Sequence, residues 1–174
     1  MKSKKGIWLI IALTILVAIA GYCIGGSTFF AEKQKERQQK QIVDSFTANV
    51  EHYNELATAF LHEANGRPLY YNLVHSRGEI SEELLYKVQS FRSNTNLDFD
   101  SVYIGGQTES IYPPDSCVFR STVYQSGDVY CWIDMVYHEH WNDALKSQSL
   151  QTMLLEGRII QLSPYWCIVI LYGF

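Results

Sequence analysis

The chain has 174 residues, a formal net charge of −4 and 47% hydrophobic residues. That is room for one ordinary domain and an anchor. An acidic balance with no extended basic patch excludes a nucleic-acid surface, and no cofactor-binding motif is present.

Charge is unevenly spread. Lys2, Lys4 and Lys5 crowd the first five residues, Ile7–Phe30 carries no charged side chain, and an ordinary mixture of Asp, Glu, Lys and Arg follows. As a helix, residues 7–30 extend about 36 Å at ~1.5 Å per residue, enough to cross a hydrocarbon core of ~30 Å. A lone span is a helix because backbone groups in lipid need internal partners. The competing reading is a cleaved signal peptide, with the lysines as its basic region and Ala18-Ile19-Ala20 as its cleavage site. Apolar character that continues well past Ala20 favours a retained anchor. Cys23 follows Tyr22 rather than a small residue, which argues against a lipoprotein. Lys33, Lys35, Arg37 and Lys40 balance the N-terminal lysines, so flanking charge leaves direction nearly undecided. A short positive tail is hard to translocate. The expected arrangement is a single-pass cell-membrane protein with its N-terminus in the cytoplasm and its C-terminal domain outside.

Residues 31–65 read as an amphipathic helical stalk. Its first turns are polar, and Ile42, Phe46, Val50, Tyr53, Ala57, Phe60 and Ala64 then recur at spacings of three and four. Asn65-Gly66 stops the helix, and Pro68 follows. The stripe either packs on the chain's own sheet or forms a homo-oligomeric seam.

Residues 66–174 are expected to form a small antiparallel α+β domain with helices on one face of the sheet. Ser81 is a good N-cap for a second helix, with Ile80 and Leu85 placed as a hydrophobic staple. Leu84, Leu85, Val88 and Phe91 form its inner face. Asp98–Ile104 reads as a strand, and Cys117–Tyr137 as a hairpin. A three-residue loop, Gln125-Ser126-Gly127, with Gly127 at a bulge, places Cys117, Phe119, Val123, Cys131, Ile133 and Met135 on one apolar face. Arg120, Thr122, Tyr124, Tyr130, Trp132 and Asp134 take the other. Asn142–Gln151 is helical in composition, and Arg158–Leu162 is a further strand. The final stretch from Tyr165 is apolar on both faces, as a strand covered on both sides is.

The chemistry-bearing residues are few. Cys117, Cys131 and Cys167 are an odd number for a disulfide framework. The pair Cys131 and Cys167 is the best candidate bond, and three buried thiols are the alternative. His138-Glu139-His140 puts two imidazoles on one face of an extended chain, as a metal pair needs, but it lacks the His-Glu-x-x-His spacing and a third ligand. A Cys–His nucleophile needs an accessible, electropositive thiol, and these cysteines stand in apolar strands. Arg120, Tyr130 and Trp132 have the composition of a protein interface or a carbohydrate platform. The alternative is that a helix covers them and Arg120 stacks on Trp132.

A short basic leader ending at Gly6, then an apolar helix running into an amphipathic one and a sheet, resembles the layout of type IV pilins and pseudopilins over the first sixty or so residues. The resemblance implies processing after Gly6 and assembly into filaments. It departs from the family at Ile11, where a Glu is usual, and at Gly25-Gly26, where the helix is usually continuous.

The leading expectation is a non-enzymatic subunit or accessory factor that displays its domain for protein–protein contact. The others are a pilin-like filament component and a metal- or thiol-dependent membrane-anchored hydrolase.

Overall fold

The computed structural model describes the backbone of residues 3–74, 78–95, 97, 99–105, 111–126 and 129–173, with side chains from residue 31 onward, Ser126 excepted. The anchor predicted over residues 7–30 lies outside the described side chains. Among the described residues no helix is long and apolar enough to cross a membrane. The chain divides into two compact units, Met1–Arg37 and Gln38–Phe174. Residues 38–64, assigned above to a stalk, therefore belong to the larger unit.

Helix α1 (Ser3–Ala64) ends where Asn65 and Gly66 turn to positive φ of 45° and 77°. It is interrupted at Asn49 (φ −136°, ψ 28°), whose side-chain amide donates to the Ser45 carbonyl. In an unbroken helix the Asn49 backbone N–H would take that acceptor. The break rotates the stripe. Ile42, Phe46, Tyr53, Ala57, Phe60 and Ala64 are buried, whereas Val50 is 39% exposed and Leu56 is buried beside them. Six of the seven stripe residues are spent on the chain's own core.

Strand β1 (Tyr70–Asn72) is followed by α2 (Glu82–Thr95). Ser81 Oγ accepts from Leu84 N at 3.2 Å, the N-cap bond expected of it, and donates to the Glu63 carboxylate. Then come β2 (Ser101–Ile104), β3 (Cys117–Ser126), β4 (Val129–Tyr137), α3 (Trp141–Ala144), α4 (Gln148–Leu155), β5 (Ile159–Gln161) and β6 (Trp166–Gly173). The six strands form one sheet in the order β1-β2-β3-β4-β6-β5, antiparallel throughout. The protein is α+β, as expected.

One side of the sheet receives residues 38–64 of α1 and the inner face of α2. Its centre is aromatic. Tyr53 meets Phe91 at 4.8 Å, Phe46 at 5.5 Å and Trp166 at 5.9 Å between ring centroids, all edge-on, a geometry that matches ring edge to ring face. The Trp166 indole N–H donates to Asn54 Oδ1 at 2.7 Å, and Tyr53 OH pairs with Ser45 Oγ at 3.1 Å. Both polar tips in the aromatic core are thus satisfied.

The other side is covered too. Trp141 and Ala144 of α3 and Leu150 of α4 pack with Val118, Val136, Cys167 and Val169. Helices therefore lie on both faces, not on one. The two short helices bury single large residues, which leaves little periodic signal in the sequence. β6 fits its reading: Trp166, Ile168 and Ile170 serve the first core, Cys167 and Val169 the second.

Candidate functional site

The candidate site lies on the second face of the sheet, the side on which α3 and α4 pack. Arg120 of β3 stands directly opposite Asp134 of β4, with Thr122 opposite Trp132. The loop proposed above pairs Arg120 with Trp132 instead. The difference has two sources. β3 continues through Gln125 and Ser126, and the register shifts between Thr122 and Tyr124. Gly127 lies outside the described residues. Because the offset is two residues, both faces keep their membership up to the shift. Beyond it, Tyr124 turns to the core side.

Asp134 is fully buried, and Arg120 holds it with both prongs: Nε donates to Oδ1 at 2.8 Å and Nη2 to Oδ2 at 2.7 Å. Tyr112 OH donates to Oδ2 at 2.9 Å and Tyr103 OH at 3.2 Å. Arg120 Nη2 also donates to Tyr103 OH at 2.8 Å. A buried carboxylate is tolerated only when paired and hydrogen-bonded in this way. Burial, with the Asp134 charge beside them, pushes the Tyr103 and Tyr112 phenols far above the ordinary range. Burial alone would lower Arg120, but the hydrogen bonds and charge of Asp134 outweigh it and hold the guanidinium charged.

Arg120 also lies over the Trp132 ring at 4.3 Å, and the Tyr130 ring stacks on Trp132 at 3.9 Å and 19°. Tyr130 in turn stands opposite Gly173. A Cβ at Gly173 would lie 1.9 Å from Tyr130 Cε1 and 2.1 Å from its Cζ, so only glycine lets the phenol lie there. The three residues named from sequence are thus together on one face, half-exposed. Their partner Asp134 was placed on that face, but nothing in the sequence marked it as the group that holds Arg120.

Trp132 has a ring close against one side and a guanidinium over the other. No open indole face remains for a sugar to stack on, so the carbohydrate platform has no support in this geometry.

The cysteine pair is corrected. Cys117, Cys131 and Cys167 are all buried thiols and none is in a disulfide. Cys131 stands opposite Tyr172 and Cys167 opposite Val136, five residues apart in register. That is roughly 16 Å of strand, against the ~5.5 Å a disulfide spans. They also face opposite cores. Burial pushes the Cys117 and Cys167 thiols well up, the reverse of what a nucleophile needs.

The histidines fare similarly. β4 ends at Tyr137, so His138 and His140 lie in the turn before α3 and not on a strand. His138 is 8% exposed, and its Nδ1 accepts from the His140 backbone N–H at 2.9 Å. They border a cleft of about 270 Å³ with Asp115 and Glu139. Among the described residues no three His, Cys, Asp or Glu side chains converge to hold a metal.

Comparison with protein-family models, curated proteins and solved structures returns no match. What defines this protein is its own geometry: an α+β domain with a six-stranded antiparallel sheet and a braced Arg–aromatic row on one face.

Proposed function

We propose that the protein is held in a cell membrane by residues 7–30, with its N-terminus in the cytoplasm, and displays its α+β domain outside. There it acts by protein–protein contact, as a non-enzymatic subunit or accessory factor. The uncharged stretch Ile7–Phe30 after three lysines supports the anchor. The observation that carries the contact is the row Tyr130–Trp132–Arg120, half-exposed and held in one geometry by stacking and by Asp134. Aromatic residues and Arg dominate interface energetics, and fixing them beforehand lowers the entropy lost on binding. Recovery of a partner with the full chain from native membranes tests this, with Trp132→Ala as the comparison. Loss of the partner with circular dichroism unchanged supports the reading; undiminished recovery removes this face from it.

A second reading, a pilin-like subunit, draws on α1, helical from Ser3 to Ala64 apart from the break at Asn49, whose later part packs on an antiparallel sheet. It requires a mature N-terminus at Ile7, which mass spectrometry of the protein decides.

A further inference from the structure

The row has a chemical character beyond being aromatic. A guanidinium carries five N–H donors. Arg120 spends one from Nε and two from Nη2, on Asp134 and Tyr103. The two on Nη1 have no partner among the described residues. The only enclosed side-chain atoms lacking a partner among those residues are Ser116 Oγ and Trp141 Nε1. Among the described residues Trp132 Nε1 and Tyr130 OH make no hydrogen bond either, and the side chains of Arg120, Tyr130 and Trp132 are all partly exposed. With Trp132 packed between Tyr130 and Arg120, the row meets solvent along its edges. Those edges carry an N–H pair, an indole N–H and a phenolic hydroxyl.

Charge gives the row a direction. The Asp134 side chain is 0% exposed and that of Arg120 is 24% exposed, so the ion pair is a dipole with its positive end outward. An incoming anion meets Arg120 first and Asp134 behind it, so attraction exceeds repulsion.

Resting on the contact reading above, we infer that this row recognises a carboxylate side chain, Asp or Glu, on a protein partner. The anion accepts from Arg120 Nη1 and the neighbouring Trp132 Nε1. A phosphate group, as on a lipid headgroup, fits less well, because phosphate sites gather several cations and this row has one, already paired with Asp134. A sugar lacks an open ring face to stack on.

Photo-cross-linking of the full chain in native membranes tests the inference. Gln125 is exposed and stands across from Tyr130, so a benzophenone amino acid placed there reaches a partner without entering the stack. The cross-linked peptide is sequenced, and yields are compared in Trp132→Phe and Tyr130→Phe. Tyr130→Phe removes only the hydroxyl, whereas Trp132→Phe keeps an aromatic ring in the stack but removes the indole N–H together with the pyrrole ring. The inference predicts adducts beside an Asp or Glu of a protein, with yields falling roughly tenfold to a hundredfold in Trp132→Phe, the loss of one hydrogen bond to a charged group. A smaller fall is expected in Tyr130→Phe. Adducts to a protein segment without a neighbouring carboxylate, or yields unchanged in both variants, overturn the carboxylate assignment and leave the contact reading standing. Adducts to lipid alone, or no adduct, overturn both.

Discussion

Arg120 and Asp134 stand directly opposite each other across β3 and β4, joined by two charge-assisted hydrogen bonds of 2.8 and 2.7 Å. Removing one partner of such a pair strands the other, at about 3–5 kcal/mol. Asp134→Ala is expected to lower stability by about that amount. The double variant Arg120→Met with Asp134→Leu should recover most of the loss, since apolar side chains of similar volume avoid the desolvation of two charges. The Tyr103 and Tyr112 hydroxyls then lose an acceptor, so recovery stays incomplete. Urea denaturation midpoints followed by tryptophan fluorescence check both values.

Gly173 makes room for the Tyr130 ring, and Tyr130 for the stack on Trp132. Gly173→Ala is therefore expected to displace Tyr130 and weaken the near-ultraviolet circular dichroism of the Tyr–Trp pair, with the far-ultraviolet spectrum intact. It should also reduce partner binding, though the substitution touches no proposed contact. An unchanged near-ultraviolet spectrum contradicts the packing described.

His138 should make stability depend on pH. Its pKa is lowered, first by burial and also by His140, against the opposing pull of Asp115, Glu139 and Asp143. The unfolded chain then binds a proton more readily than the folded one, so stability rises with pH across this window. The contribution is complete above the ordinary histidine value of about 6.5 and is lost as pH falls from there toward the folded value. Protonation also removes the acceptor of the His140 N–H. Thermal melts from acid to neutral pH should show this slope, and His138→Gln should flatten it.

The three domain cysteines are buried thiols. Alkylation in the native state is expected to be slow at all three and fast in denaturant, with equal gel mobility in reducing and non-reducing conditions. A mobility difference contradicts the placement of Cys131 and Cys167 on opposite faces.

Much of this was readable beforehand, for physical reasons. Six of the seven stripe residues on α1 are buried because helical periodicity reports burial directly. Val50 departs because Asn49 leaves helical geometry, a backbone event that no residue pattern announces. The cap at Ser81 and the stop at Asn65-Gly66 are local chemistry, and both are present. β1 leaves no mark in the sequence, since Tyr70–Asn72 is three residues long and shows no alternation. The hairpin faces are legible up to Thr122 although the expected register is two residues from the observed one, because faces depend on parity alone. Register decides which side chains meet, however. The Arg120–Asp134 pair, and with it the rigidity of the row, was therefore hidden, and the disulfide was placed between strands whose register keeps the cysteines apart. Arg120, Tyr130 and Trp132 could be grouped from sequence; the group that braces them could not.

If residues 7–30 anchor the chain as proposed, the domain stands outside the membrane. Protease treatment of intact cells carrying a C-terminal epitope, with alkaline carbonate extraction of the membranes, tests it most directly. The account predicts that the epitope is removed without breaking the cells and that the untreated protein stays with the carbonate-washed pellet. An epitope shielded until the cells are opened, or a protein released by carbonate, contradicts it.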